Sequence, residues 1–276
     1  MSLFKKKRGT DETIKKGAKL ITVADPKSPV TEQFRTIRTN INFMAVDHDI
    51  KSVAFTSANI SEGKSTVAAN VAVSYAQAGR KVLLIDADLR RPTVHRTFNL
   101  SNHVGLSTVI SSTAKEVDLD EVVQDSGIAD LAILPAGPTP PNPSELIGSK
   151  RMQDFISLVE DHYDMVIIDL APVLEVSDTQ ELARRLDGII LVVRQGKTQK
   201  AAIKRAVEIL NFSKARVLGF IMNDISPDNA GYGYGYGYGY GYGYGYGYGY
   251  GYGYGYGYGY GEEDKKKKGF FSGRKK

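Results

Sequence analysis

The chain of 276 residues contains no cysteine. That excludes a disulfide framework and any thiolate metal site, and it fits a cytoplasmic setting. Long apolar runs are missing too. The longest, such as Gly188-Ile-Ile-Leu-Val-Val193, have the length of a strand, so nothing reads as a bilayer span. No apolar stretch follows the basic cluster Lys5–Arg8, so the start does not read as a secretory signal. Basic charge is absent from the middle of the chain. The formal net charge is +5, yet residues 1–19 carry +5 and residues 262–276 carry +4, which leaves −4 between them. An acidic body without a recognition motif argues against a nucleic-acid partner. Two basic ends suit an anionic membrane surface, where each Lys or Arg is worth about 1 kcal/mol, or serve as solvated tails.

What the chain has in excess is an alternation of Gly and Tyr from Gly231 to Gly261. It places phenols at Tyr232, Tyr234, Tyr236, Tyr238, Tyr240, Tyr242, Tyr244, Tyr246, Tyr248, Tyr250, Tyr252, Tyr254, Tyr256, Tyr258 and Tyr260. The period is that of a strand, but one face would be all tyrosine and the other all glycine. Glycine loses the most entropy on ordering. The segment reads as a flexible, disordered tail that presents phenols to something, or as a sticky tract that associates with its own copies.

The remainder reads as a basic N-terminal tail over 1–27, one α/β domain over 28–230 and the repeat with its basic end over 231–276. Ser28-Pro29 reads as an N-cap followed by Pro at the first helical position. Phe34, Ile37, Ile41 and Met44 continue at helical spacing, which predicts a helix over 30–45. Apolar runs at 52–57, 81–85, 130–134, 165–168, 188–193 and 216–222 are apolar on successive positions, as buried parallel strands are. Helical patterns at 64–79, 144–160, 178–186 and 198–211 lie between them. The alternation predicts a doubly wound, mostly parallel sheet of the P-loop NTPase kind. Asn142, Pro143 and Glu145 stand as N-cap, first helical residue and third helical residue of a capping arrangement.

Candidate chemistry sits at three strand ends. The strand 52–57 runs through Ala58-Asn-Ile-Ser-Glu-Gly63-Lys64-Ser65-Thr66 into a helix. Backbone amides there would cradle phosphates, Lys64 would reach β/γ oxygens and Ser65 would ligate Mg²⁺. The strict pattern wants Gly where Ala58 stands. Asp86 and Asp88 follow the strand 81–85, and Asp169 ends the strand 165–168. Ligands of open α/β sheets bind at the C-terminal strand ends. Three carboxylates converging there require a counter-cation, for which Mg²⁺ is the obvious choice.

Together these residues and the tail resemble the bacterial tyrosine kinases that govern capsule and exopolysaccharide synthesis. The resemblance rests on Gly63-Lys64-Ser65, on Asp86-x-Asp88 with Arg and Pro following, on Asp169, on Glu32-x-x-Arg35-x-x-Arg38, on Pro141-Asn-Pro-Ser-Glu-Leu146 and on the terminal tyrosines. It implies ATP and Mg²⁺ as cofactors and a cofactor-binding set of Glu62, Gly63, Lys64, Ser65, Thr66 and Asn223. It also implies catalysis by Lys64, Asp86 and Asp88, with Asp86 as base and Ser65, Asp88 and Asp169 on the metal, although the Asp roles are exchangeable. Glu32, Arg35 and Arg38, off the apolar stripe, are implied to hold a ring-like homo-oligomer whose members phosphorylate the tail tyrosines in trans. The implied partners are a separate membrane-embedded polysaccharide chain-length regulator as activator and a cognate phosphotyrosine phosphatase. The implied location is the cytoplasmic face of the membrane. Leu170-Ala-Pro172 departs from the family's Thr-Pro-Pro, and the loop lacks the family's Pro-Gly before Glu62. Two other readings remain. One is a partition-type ATPase, for which Asn59 stands where a second loop Lys is needed. The other is a self-associating protein with a degenerate ATP site, supported by Ala58, Ile60, Ser61 and Leu170.

Overall fold

A computed structural model describes residues 16–45, 49–112 and 118–225. The chain divides into Met1–Tyr232 and Gly233–Lys276, and every described residue belongs to the first part. The tyrosines Tyr232 to Tyr260, residues 1–15 and the basic C-terminal end lie outside the described residues.

In chain order, α1 (Ile21–Ala24) and α2 (Pro29–Met44) precede β1 (Ser52–Ser57), and α3 (Lys64–Ala76) leads to β2 (Val82–Asp86). Three short helices follow, α4 (Val94–Thr97), α5 (Leu106–Ser111) and α6 (Leu119–Val122), then β3 (Gln124–Asp125) and β4 (Leu131–Leu134). After them come α7 (Pro143–Ile147), α8 (Lys150–His162), β5 (Met165–Asp169), α9 (Asp178–Ala183), β6 (Gly188–Arg194), α10 (Lys200–Phe212) and β7 (Val217–Asn223).

The strands form one sheet in the order β3-β4-β2-β5-β1-β6-β7. Every pair is parallel except the two-residue β3 against β4. β1, β2 and β5 are buried along their whole length, which is why they read as unbroken apolar runs rather than alternating ones. On one face Leu83, Ile85, Val166, Ile168 and Leu191 pack with Phe155 and Val159 of α8 and Leu210 of α10. On the other, Leu84, Ile167, Ile190 and Val192 pack with Val67, Val71 and Tyr75 of α3 and Ile41 of α2. Each such side chain contributes about 1.5–3 kcal/mol by leaving water. The parallel register sets Asp86 opposite Asp169 and Asp169 opposite Phe55, so the ends of β2, β5 and β1 come level.

Local signals act as the sequence predicts at α2, where Ser28 Oγ accepts from the Thr31 amide at 3.2 Å and Pro29 opens the helix. They act differently at 144–160. The spacing predicts one helix, whereas the structure has two. Gly148 closes α7 with its amide on the Ser144 carbonyl, and Ser149 restarts the chain by capping the Met152 amide at 3.1 Å. Asn142 caps α7 in position only. Its side-chain amide donates to the Glu145 carboxylate instead of accepting from the helix. The helices α1, α4, α5 and α6 have four to six residues, too few to show a helical period.

Candidate active site

The loop between β1 and α3 is shaped by Gly63. Its φ is +95°, and a Cβ there would stand 2.0 Å from Asn223 Nδ2, so only glycine fits. Lys64, Ser65 and Thr66 form the first turn of α3, whose amides face outward without helical partners. These residues line a cavity of about 230 Å³ together with Ile60, Asp88, Arg91, Thr93, Pro172, Arg194 and Asn223. It lies at the C-terminal ends of the strands, the usual ligand position in such sheets.

Two of the three carboxylates, Asp88 and Asp169, flank one cation there, and that cation is a side chain. Lys64 Nζ lies 2.9 Å from Asp88 Oδ2 and 3.2 Å from Asp169 Oδ1, and donates to Ser65 Oγ at 3.2 Å. Burial alone would lower the Lys64 pKa, but Asp169, Asp88 and Asp86 together outweigh it and raise it. For Asp88 burial works upward, yet the ammonium of Lys64 prevails and holds the carboxyl below its usual value. For Asp169 burial prevails and raises it, opposed by Lys64. Asp86 is pushed up to about 8 by burial and by the charge of Asp169.

Asp86 is held by backbone amides. Its Oδ2 accepts from the amides of Thr93 and Val94, both at 3.0 Å, and its Oδ1 from the Asp88 amide at 3.3 Å. It is fully buried and does not line the cavity. It fastens the chain after β2 to the sheet, while Asp88, two residues on, faces the cavity.

Glu62 also turns away from the cavity. Its Oε2 accepts from the amides of Ala58 at 3.0 Å and Asn59 at 3.2 Å, and its Oε1 accepts from the Thr198 hydroxyl at 2.7 Å. The carboxylate therefore braces the loop from within. Asn223 donates to the Glu62 carbonyl at 3.0 Å and lines the cavity, so its amide holds the loop at the cavity edge. Arg194 joins the same edge, donating to the Ser61 carbonyl at 3.0 Å and pairing with Asp224 at 2.7 Å. Arg194 and Thr198 carry no motif. Their place follows from β6 lying beside β1. Leu170 is buried in the core, and it is Pro172 that reaches the cavity.

A divalent cation fits the oxygen donors here. Asp169 Oδ2 is buried without a hydrogen-bond partner among the described residues, and Ser65 Oγ and the Asp88 carboxylate stand around the same ammonium. Among the described residues no cluster of three His, Cys, Asp or Glu stands close enough to enclose a metal. Mg²⁺ is held by one or two carboxylates, with substrate phosphates and water for the rest.

Glu32, Arg35 and Arg38 lie on α2 but not as one outward-facing set. Arg35 pairs with Glu32 and donates to the Pro26 carbonyl at 3.0 Å, while Arg38 donates to the Ser74 carbonyl near the end of α3 at 2.5 Å. Arg38 thus has a role within the chain, because α2 packs against α3 at that point.

Among the described residues no helix is long and apolar enough to cross a membrane. The profile of the AAA domain family matches residues 50–215. Tyrosine-protein kinase YwqD of Bacillus subtilis is 50% identical over 204 residues, 74% of this chain and 85% of that protein. Tyrosine-protein kinase CpsD of Streptococcus agalactiae serotype Ia is 36% identical over 202 residues, 73% of this chain and 85% of its own length. The kinase domain of the Escherichia coli tyrosine kinase ETK superposes with a TM-score of 0.72 at 33% identity, covering 80% of this chain and 86% of that domain. With the phosphate loop, the strand-end carboxylates and the sheet order all in place, the chain belongs to the bacterial tyrosine-protein kinase family.

Proposed function

We infer that the chain is an ATP-dependent protein-tyrosine kinase that acts in capsule or exopolysaccharide synthesis and takes the phenols of its own Gly-Tyr repeat as acceptors in trans. One observation carries the chemistry: Lys64, at the tip of a phosphate loop, is held between two strand-end carboxylates beside a cavity open to solvent. The amides at the start of α3 bind phosphate oxygens, and the helix dipole adds to that attraction. Lys64 exchanges its carboxylates for the β/γ oxygens and offsets the charge of the transferring group. Ser65 and Asp169 would hold Mg²⁺, which supplies further charge neutralisation on the phosphates. Asp88 lines the cavity and Asp86 does not, so the proton of the attacking phenol goes to Asp88, while Asp86 positions the segment after β2. A phenol has a pKa near 10 and needs such alignment at neutral pH.

The tail tyrosines, the ring and the partners belong to the same proposal. The exposed Glu32 and half-exposed Arg35 on α2 support a contact between protomers. The basic ends support residence at an anionic membrane surface, where a separate polysaccharide chain-length regulator acts as activator and a phosphotyrosine phosphatase reverses the reaction. A partition-type ATPase is the poorer reading, since Asn59 stands in place of the second loop Lys. Incubation with labelled ATP and Mg²⁺ tests the proposal. Phosphate should appear on tyrosine in the parent chain and be absent in D88N. ATP hydrolysis with no phosphotyrosine in the parent would overturn the kinase reading.

A further inference from the structure

The sheet order assigns the two ends of the cavity. Across the sheet run β2, β5, β1, β6 and β7, and the phosphate loop follows β1 in the middle. Arg194, Asn223 and Asp224 come from the β6 and β7 side, and Asp88, Arg91 and Thr93 from the β2 side. The strand-end carboxylates mark the β2 side as the γ-phosphate end. An acceptor must therefore approach from β2, opposite the nucleotide base.

Two side chains at that end stand at the cavity. Thr93 is 7% exposed and lines the cavity, yet its Oγ1 has no hydrogen-bond partner among the described residues. A buried hydroxyl without a partner is costly, so such a group calls for a ligand. Its position is fixed from behind, since the Thr93 amide donates to Asp86 at 3.0 Å. Arg91 is exposed at the same rim. Its amide is held by Asp88 Oδ1 at 3.1 Å, which anchors the base of the side chain beside the cavity.

We propose that Thr93 and Arg91 form the acceptor end of the site, with Thr93 Oγ1 binding the phenolic oxygen of an incoming tyrosine and Arg91 facing the transferring phosphoryl group. The proposal rests on the kinase reading above. In the step it describes, the phenolic O–H donates to Asp88 and the Thr93 hydroxyl donates to the phenolic oxygen. These two hydrogen bonds leave one phenolic lone pair aimed at the γ-phosphorus. The new oxygen–phosphorus bond forms as the bond from phosphorus to the β–γ bridging oxygen breaks. The electron pair leaves with ADP, and the proton passes to Asp88. Thr93 stabilises the charge that collects on the phenolic oxygen, and Arg91 stabilises the charge on the equatorial phosphoryl oxygens.

The test uses the full-length chain, Mg²⁺-ATP and a synthetic Gly-Tyr repeat peptide as added acceptor, with T93V, T93S and R91A beside the parent. Valine keeps the shape of threonine and removes only the hydroxyl. Transfer to the peptide should fall about 10- to 100-fold in T93V, less than the loss of a full oxyanion donor because the phenolic charge is partial. Affinity for a fluorescent ATP analogue should hold within about 2-fold, and T93S should recover most of the transfer. R91A should also lose transfer without losing nucleotide. It carries the test if T93V fails to fold, since Arg91 is exposed. Parent-like transfer in a folded T93V, or a matching loss of nucleotide affinity, would overturn the proposal. A parent that labels no tyrosine at all would instead remove the kinase reading on which it rests.

Discussion

Replacing Lys64 by alanine should destabilise the nucleotide-free protein as well as silence it. The ammonium is the counter-charge of two buried carboxylates, Asp88 at 2.9 Å and Asp169 at 3.2 Å, and the Lys64 side chain is only 10% exposed. Breaking a buried pair by removing one partner costs about 3–5 kcal/mol. The cavity admits water on one side, so the lower end, about 3 kcal/mol, applies. For a folded unit of roughly 200 residues that is a fall in Tm of roughly 6–12 °C. The deficit should depend on pH. Without the ammonium, Asp88 and Asp169 have folded pKa values above their unfolded ones, near 3.9. Groups shifted in that sense support the fold at low pH and lose that support as pH rises through the folded value. The gap between parent and K64A should therefore be small near about pH 4 and widen towards about pH 8. Millimolar Mg²⁺ without nucleotide should narrow it, since the ion offers the carboxylates another counter-charge. Differential scanning calorimetry across that range is the assay. A K64A protein as stable as the parent at the high end, or a gap that does not change with pH, would refute the electrostatic reasoning.

Gly63→Ala should abolish ATP binding in isothermal titration, because the new Cβ would stand 2.0 Å from Asn223 Nδ2 at a φ of +95°. Glu62→Ala should lower stability in urea by about 2–4 kcal/mol, since the amides of Ala58 and Asn59 lose their acceptor, while Glu62→Gln keeps one oxygen and should cost less. Arg38→Ala should lower Tm whether or not protomers associate, because it removes the donor to the Ser74 carbonyl. The double change of Glu32 and Arg35 to Ala should lower Tm only slightly and reduce the oligomer mass in light scattering, since it removes an exposed pair worth about 0–1 kcal/mol and one exposed hydrogen bond to the Pro26 carbonyl.

Much of the fold is legible because parallel strands buried on both faces leave unbroken apolar runs, as at Val53–Phe55 and Val166–Ile168. What the sequence hides is short or depends on tertiary context. The two residues of β3 pair with β4 without a period of their own. The site is legible where residue type and strand end coincide, as at Lys64, Ser65 and Asp169. It is not legible where only the fold decides direction. Asp86 and Asp88 look equivalent in sequence, yet the amides of Thr93 and Val94 take up one and leave the other to the cavity. Glu62 adjoins Gly63 and so reads as a cofactor residue, but positive φ at Ser61 and Gly63 turns the chain so that its carboxylate points back at Ala58. Its partner Thr198 lies 136 residues away and follows only from β6 lying beside β1.

The central claim is that this chain transfers the γ-phosphoryl group of ATP to tyrosines of another copy. Mixing the full-length parent with full-length K64A, Mg²⁺ and ATP, then mapping phosphotyrosine on each chain by mass spectrometry, tests it most directly. The account predicts phosphate on the Tyr232–Tyr260 segment of K64A when the parent is present and none when K64A is alone. Phosphate confined to the parent's own tail would contradict transfer between copies, and phosphate on neither chain would contradict the kinase itself.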